Sequence, residues 1–242
     1  MKQADRQFIT YAHRGASQVC PENTMMSFYV GLQMGANGIE TDVRRTKDGI
    51  LVLFHDSTLE RVTGETGGIG DYTYEELQRF WVKKGELADK IPTLEDFLCH
   101  FACHDITLAI ELKADGIEEE VAELIFRYGA QDKVVVTAFE LERIQRMKQC
   151  APSLRVGYLT RTVDEDLIRS LLAMGAEEIC PIGREVTPER VAAWHGLLLN
   201  VRAWGIRDEE IMKRVYDAGA DGMTVNFPDL LIQYQKTTGE RT

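Results

Sequence analysis

The feature that most constrains the fold of this chain is the regular alternation of short apolar segments with amphipathic helical patterns. The apolar segments, each predicted to be a strand, are Phe8–His13, Gly38–Val43, Ile106–Glu111, Lys133–Thr137, Arg155–Leu159, Glu178–Ile182, Leu197–Ala203 and Gly222–Asn226. The helical patterns lie near residues 25–34, 94–103, 117–128, 140–150, 164–174, 188–195, 208–218 and 228–236. This order predicts parallel strands that are joined by crossover helices.

Eight such strands fit a (β/α)₈ TIM barrel, an architecture whose usual size includes the 242 residues of this chain. A doubly wound open sheet is the alternative, but it does not explain why polar residues follow so many different strands. We therefore expect one barrel domain over residues 1–242. The hydrophobic residues, which make up 44% of the chain, are sufficient to fill its core.

The alternation is interrupted between residues 43 and 91. Asp48-Gly49 is a strong hairpin signal, and a two-residue turn there would place His55 directly opposite Asp42. Directly opposed residues have Cβ atoms about 5 Å apart, so the hairpin would bring the histidine beside the carboxylate. Residues 59–91 then form a connection too long for an ordinary loop, which predicts a small insertion over the barrel mouth.

The composition limits the partners of this protein. A net charge of −11 disfavours nucleic acid as a partner, because the phosphate backbone would be repelled. No apolar run approaches the roughly 20 residues of a membrane span, and the charged stretch Met1–Arg6 lacks the features of a signal peptide. Five irregularly spaced cysteines disfavour a disulfide framework. We expect a cytoplasmic protein, and the sequence leaves open whether it forms a homo-oligomer.

Three acidic residues are predicted to share the mouth of the barrel. Glu40 and Asp42 are two positions apart on one strand and so point to the same side, and Glu111 ends the next barrel strand. Like charges this close repel each other unless a cation lies between them. Such an oxygen-ligand set suits Mg²⁺ or Ca²⁺. A strand end that forms salt bridges with Arg44 and Arg45 is the structural alternative.

Basic residues follow the same strands. Arg14 and Lys113 supply the positive charge that binds phosphate oxygens, the first as a fork and the second as a point charge. His13 and His55 can divide proton transfer, one taking a proton from a nucleophile and the other giving one to a leaving oxygen. Each such group contributes typically about 10²–10⁴-fold to a rate. The pattern therefore indicates chemistry on a phosphate ester.

These residues stand in motifs that resemble those of the glycerophosphodiester phosphodiesterases. The motifs run along essentially the whole chain in the order of that family. They are His13-Arg14-Gly15, Pro21-Glu22-Asn23-Thr24, Gly38-Ile39-Glu40-Thr41-Asp42-Val43, Thr46-Lys47-Asp48-Gly49, His55-Asp56, Glu111-Leu112-Lys113 and Phe227-Pro228. The resemblance implies a (β/α)₈ barrel with an insertion after the second histidine, and hydrolysis of glycerophosphodiesters to glycerol 3-phosphate and an alcohol.

The resemblance also implies roles for individual residues. A divalent cation, Mg²⁺ or Ca²⁺, would be bound at the positions of Glu40, Asp42 and Glu111. The general acid and base would be His13 and His55, and the phosphate would be bound by Arg14 and Lys113. In that family the vicinal hydroxyl of glycerol is thought to attack phosphorus, which gives a cyclic phosphate that water opens. Which histidine acts first as the base is left open.

Two departures from the family pattern concern the pocket walls. Ala138-Phe139 stands where Ser-Phe is common, and Trp204-Gly205-Ile206-Arg207 stands where Trp-Thr-Val-Asn is common. Trp204 follows a predicted strand and is a candidate substrate-binding residue, as is Phe227 after the last strand, although packing would explain either ring. The departures leave the preferred alcohol open.

Two other functions remain as alternatives. One is phospholipase activity on lysophospholipids or phosphoinositides, in which apolar residues of the insertion meet an acyl chain; the candidates are Tyr72, Tyr74, Leu77, Phe80 and Trp81. The other is a catalytically silent barrel that binds a phosphate ligand. A silent barrel is expected to lack a histidine or a carboxylate of the set, and the sequence retains all of them.

Overall fold

The structure, a computed structural model of the chain, describes residues 7–239. Eight parallel strands form the barrel: β1 (Ile9–His13), β2 (Gly38–Arg45), β6 (Thr107–Leu112), β7 (Val134–Ala138), β8 (Arg155–Thr160), β9 (Glu178–Pro181), β10 (Asn200–Ala203) and β11 (Gly222–Val225). Three short strands lie outside it: β3 (Leu51–Leu53), β4 (Val82–Lys84) and β5 (Leu87–Asp89). The stretch Met1–Arg6, on which the expectation of no signal peptide rests, lies outside the described residues.

Eight of the ten α-helices within residues 7–239 alternate with the barrel strands, and the two helices of four residues lie between β3 and β4. The ten helices are α1 (Met25–Gln33), α2 (Glu60–Thr63), α3 (Tyr74–Leu77), α4 (Leu94–Phe101), α5 (Glu118–Arg127), α6 (Leu141–Cys150), α7 (Glu165–Met174), α8 (Pro188–Gly196), α9 (Glu209–Asp217) and α10 (Pro228–Thr238). Thr93 caps α4 by accepting the Asp96 N–H, and Thr187 caps α8 ahead of a proline in its first turn. None of the helices within residues 7–239 has the length and apolar character needed to cross a membrane.

The barrel closes because β1 pairs with both β11 and β2. This double pairing leaves the eight parallel strands with no open edge, so the predicted TIM barrel is confirmed and the open sheet is excluded. All five residues of β7 are buried, since side chains fill the inside of the barrel and helices cover the outside.

The hairpin after β2 differs by one residue from the predicted register. Phe54, not His55, lies opposite Asp42, and its N–H donates to the Asp42 carbonyl at 2.9 Å. The loop contains three residues, 47–49, instead of two, because Gly49 takes a φ of +89° and lengthens the turn. A shift of one residue moves a strand side chain to the other face. His55 therefore enters the pocket from the segment that follows β3.

Residues 59–91 form the predicted insertion and contain α2, α3 and the β4–β5 hairpin. A second apolar cluster fills it, made of Val52, Phe54, Leu59, Val62, Ile69, Leu77, Val82 and Ile91. Tyr72, Tyr74 and Phe80 pack against this cluster, whereas Trp81 is exposed with the Lys90 ammonium 3.6 Å from its ring centroid. Most of the aromatic residues that could have met an acyl chain thus hold the insertion together.

Candidate active site

The strand register brings the predicted site residues together at the carboxyl ends of β1, β2 and β6. His13 is the register partner of Glu40 across β1 and β2. Asp42 is the register partner of Glu111 across β2 and β6. Neighbouring strands lie about 4.8 Å apart, so these pairings place four functional side chains in one small volume.

Glu40, Asp42 and Glu111, here called the carboxylate trio, are buried, and one ligand oxygen from each lies within 4.8 Å of the others. Burial and the neighbouring carboxylates raise the pKa of Glu40 and of Glu111 above the ordinary glutamate value. Asp42 Oδ1 is buried and takes part in no hydrogen bond. A divalent cation would bind the Asp42 oxygen that accepts no hydrogen bond and would stabilise the charged form of the two glutamates, so the residues present fit the predicted metal.

Two cations lie against the trio. Arg14 Nε is 3.0 Å from Asp42 Oδ2, and Lys113 Nζ is 3.4 Å from Asp42 Oδ1 and in contact with Glu111. Burial alone would raise the pKa of Asp42, but these two cations hold it well below its usual range. The pocket thus has both the positive groups that a phosphate needs and the carboxylates that a metal needs.

Arg14 is fixed by an unusual backbone conformation. Its φ of +53° lies in the left-handed region, which non-glycine residues rarely adopt. Hydrogen bonds maintain it: its N–H donates to the Glu40 carbonyl at 2.9 Å, and its carbonyl accepts the Asn23 N–H at 3.0 Å. Gly15 follows with a φ of +78°, and a Cβ there would lie 2.4 Å from Ser27 atoms. The motif His-Arg-Gly therefore encodes a turn that aims the guanidinium at the trio.

His13 is oriented by a residue from the last strand of the barrel. Its Nδ1 is 2.5 Å from Asn226 Oδ1, so the ring donates there and leaves Nε2 free, 3.9 Å from Glu40 Oε2. Partial burial and the Arg14 guanidinium lower the pKa of His13 to about 4. The ring is accordingly neutral near pH 7, with a lone pair that can accept a proton.

His55 is oriented by a carboxylate instead of an amide. Its Nδ1 lies 2.6 Å from Asp56 Oδ1, and its carbonyl accepts two hydrogen bonds from Arg44, at 2.9 and 2.7 Å. Arg61 binds the second oxygen of Asp56 at 2.6 Å. Burial lowers the pKa of His55, while Asp42 and Asp56 oppose that shift.

Several residues of the site were not assigned a role from the sequence. Asn23 has a φ of +55°, and its side chain donates to Asp42 Oδ2 at 2.9 Å. Glu22 accepts hydrogen bonds from both Arg14 and Arg61. Glu22 and Asn23 lie inside a motif of the family, so their motif membership was the available signal. Asn226 could have been found as a polar residue at the end of a predicted strand.

The pocket, of about 580 Å³, extends from the two histidines to aromatic walls on the far side of the barrel mouth. Trp204 lines it and donates its indole N–H to the Thr160 carbonyl at 3.2 Å; Phe139 meets it edge-on at 4.8 Å between centroids. Phe227 does not line this pocket and packs against the hydrophobic core. Of the two aromatic candidates, Trp204 is thus placed at the pocket and Phe227 is not.

The structural alternative for the acidic strand end does not hold. The side chain of Arg44 bonds the carbonyls of His55 and Lys113, and that of Arg45 bonds Glu120 and the Gly116 carbonyl. Within residues 7–239 neither arginine forms an ion pair with the trio.

Comparison with known proteins agrees with this geometry. The model of the glycerophosphoryl diester phosphodiesterase family matches residues 13–230. The chain belongs to this family. The resemblance inferred from the motifs is therefore confirmed, as is the prediction of a phosphodiesterase.

Members and solved structures of the family extend the match over nearly the whole chain. A glycerophosphodiester phosphodiesterase of Caldanaerobacter subterraneus subsp. tengcongensis is 32% identical over 240 residues, which cover 96% of this chain and 99% of that protein. The uncharacterized protein YqiK of Bacillus subtilis is 36% identical over 230 residues, covering 90% and 95%. The crystal structure of a putative glycerophosphoryl diester phosphodiesterase from Silicibacter pomeroyi superposes with a TM-score of 0.88 at 25% identity, covering 98% and 95%.

Proposed function

We propose that this chain hydrolyses glycerophosphodiesters to glycerol 3-phosphate and an alcohol, with a divalent cation held by the carboxylate trio and with proton transfer by His13 and His55. The observation that carries the proposal is the convergence of three carboxylate oxygens within 4.8 Å, beside two imidazoles and two cations in one pocket. Family membership supports the same reaction.

The residues around the trio would bind the phosphodiester. Arg14 and Lys113 lie against the trio, so both could contact a phosphate that is bound to a cation held there. Their charges offset the negative charge that develops on the phosphoryl oxygens, and they do so in a largely buried site where the interaction is strong. When bound, the divalent cation supplies Lewis-acid polarisation of the phosphoryl group.

The two histidines would carry the protons. Each ring has its Nδ1 held, by Asn226 in one case and by Asp56 in the other, so each directs Nε2 toward the reaction. One Nε2 takes the proton of the glycerol 2-hydroxyl while its oxygen forms a bond to phosphorus. The bond from phosphorus to the leaving oxygen breaks, and the other ring, which enters this step protonated at both nitrogens, gives that oxygen its Nε2 proton. Water then opens the cyclic phosphate with the proton transfers reversed.

The test is release of glycerol 3-phosphate from a panel of glycerophosphodiesters, with and without Mg²⁺ and Ca²⁺. We expect activity to disappear with a chelator and to return with one of the two ions. His13→Ala and His55→Ala should each lower kcat by about 10²–10⁴-fold. His104→Ala is the matched control, since His104 is exposed and precedes β6 at the opposite end of the barrel. Near-normal turnover in either site variant, or a rate insensitive to chelator, contradicts the proposal.

Lysophospholipid hydrolysis is not favoured. The aromatic residues proposed to meet an acyl chain mostly pack inside the insertion, and none of them lines the pocket. Adding lysophosphatidylcholine to the panel decides between the two activities, because a phospholipase would turn it over faster than glycerophosphocholine. A silent binding barrel would release no product from either.

A further inference from the structure

The outer part of the pocket carries an unbalanced positive charge that the proposed reaction does not use. Arg161, just after β8, and Arg207, just after β10, both line the pocket and are exposed. Neither guanidinium takes part in a hydrogen bond or ion pair with any residue of 7–239; Arg161 only faces the Trp204 ring, 5.5 Å from its centroid. We call these two residues the rim arginines.

The other charges near the rim are already compensated. Glu140 lines the same wall, but its carboxylate accepts a hydrogen bond from Arg143 at 2.7 Å. Asp208, next to Arg207 in the chain, caps α9 by accepting the Ile211 N–H at 2.9 Å and does not line the pocket. In a protein of net charge −11, two uncompensated arginines at the mouth of one pocket form a local positive site.

The aromatic walls at the rim are poorly suited to a cationic alcohol such as choline. Quaternary ammonium groups bind over aromatic faces. Here Trp204 already faces Arg161, and Phe139 already faces the Lys113 ammonium at 5.5 Å. A second cation at either ring would meet a like charge.

We propose that the rim arginines form a subsite for an anionic alcohol, so that this chain prefers glycerophosphodiesters whose alcohol carries a carboxylate or a phosphate. The inference rests on the proposed function and names its substrate class. The glycerol and the phosphodiester, common to every substrate, occupy the enclosed end with the carboxylate trio. The variable alcohol then extends to the open end, where the rim arginines lie.

Two matched substrate pairs test this charge preference. Glycerophosphoserine differs from glycerophosphoethanolamine by one carboxylate, and glycerophosphoinositol 4-phosphate differs from glycerophosphoinositol by one phosphate. We expect kcat/KM to be higher for the more anionic member of each pair, by about threefold for the carboxylate and tenfold for the phosphate. Raising the salt concentration should reduce these ratios, because the rim is exposed and screened. A preference in only one pair identifies which anion the subsite takes.

Substituting the rim arginines should lower the ratio of kcat/KM for the more anionic substrate to that for the less anionic one. The variants are Arg161→Gln, Arg207→Gln and the double substitution. Arg207→Glu should reverse the preference. Arg207 is the sharper probe because its guanidinium faces no aromatic ring of residues 7–239. Arg169→Gln is the control: Arg169 is exposed on α7, pairs with Glu165 and Asp166, and does not line the pocket. If the ratios of kcat/KM are the same for the wild type and the variants, the subsite is wrong and the proposed phosphodiesterase function still stands. If the wild type turns over none of the four substrates, the proposed function itself is wrong.

Discussion

The barrel buries two groups of charged side chains, and they are built differently. In the carboxylate trio, three acids share the cations Arg14 and Lys113, and one oxygen of Asp42 is left without a hydrogen bond. Across the barrel, Arg202 is only 2% exposed, lines the same pocket and donates to Glu178 at 2.7 Å. We call Glu178 and Arg202 the interior ion pair.

The interior ion pair is satisfied within the protein. The two terminal nitrogens of Arg202 donate to Thr224 Oγ1 at 3.0 Å and to Cys180 Sγ at 3.4 Å, and its guanidinium lies 5.0 Å from the Tyr11 ring centroid. Since one charge of each sign is present and each is hydrogen-bonded, the pair needs no ligand. The trio, in contrast, has an excess of negative charge. Buried charge that is unbalanced indicates a site for a ligand, and buried charge that is balanced indicates a structural role.

Substituting a residue of the trio should have the largest effect, a great loss of activity without a loss of stability. We expect Glu40→Gln to lower kcat/KM by roughly 10³-fold or more, about 4 kcal/mol of barrier, because a predicted metal ligand loses its charge. The metal-free variant should unfold with no smaller free energy than the wild type, since the raised pKa of Glu40 shows that burying its charge is unfavourable. Kinetics and urea unfolding, both with chelated and metal-loaded protein, measure the two effects. A clear loss of metal-free stability would show that the trio has a structural role like that of the interior ion pair.

Substituting the interior ion pair should lower the free energy of unfolding directly. Glu178→Gln leaves the Arg202 guanidinium buried without its counter-charge, which should cost about 3 kcal/mol of unfolding free energy. The double variant Glu178→Gln/Arg202→Met removes both charges and should regain most of that loss. Urea unfolding of the two variants measures it. If the single variant is as stable as the wild type, then the pair is not the structural element that we infer.

Asp56 combines features of both groups, since it is paired with Arg61 and also orients His55. Asp56→Asn should lower kcat by about 10²-fold, because the ring loses the carboxylate that fixes its tautomer. Asn226→Ala, which removes a neutral partner from His13, should cost only about tenfold. Steady-state kinetics on one glycerophosphodiester compares them. Equal losses would show that the charge of the orienting group is unimportant.

The smallest effect should be the change with pH in how much a divalent cation raises the Tm. Because the pKa values of Glu40 and Glu111 are raised in the folded protein, these two groups bind more protons in the folded state than in the unfolded state above about pH 4.3. His13 and His55, whose pKa values are lowered, bind fewer protons in the folded state below about pH 6.5 and oppose this effect there. The metal-free protein should therefore lose stability as the pH rises from about 6.5 to about 8, where the histidines are neutral in both states and the two carboxyl groups still titrate in the folded state. A divalent cation replaces those protons, so its increase in Tm should be greater at about pH 8 than at about pH 5, by about 4 °C. A metal effect independent of pH would contradict the raised pKa values.

Much of the fold could be predicted from the sequence because its signals are local. The barrel strands and their helices follow from apolar periodicity, and the helix starts at Thr93 and Thr187 follow from capping residues. The hairpin register could not be predicted, because one positive φ at Gly49 decides whether the loop has two or three residues. That all 242 residues form one domain stays a prediction.

The sequence by itself determined the order of the elements, the shared face of Glu40 and Asp42, and the presence of two histidines and two cations at strand ends. These properties follow from periodicity and residue type along a continuous segment. Only the tertiary structure decided that the barrel closes, that Asn226 orients His13 across 213 residues of sequence separation, and that the rim arginines face one pocket. Each of these depends on pairing between segments far apart in the chain, which no local pattern encodes.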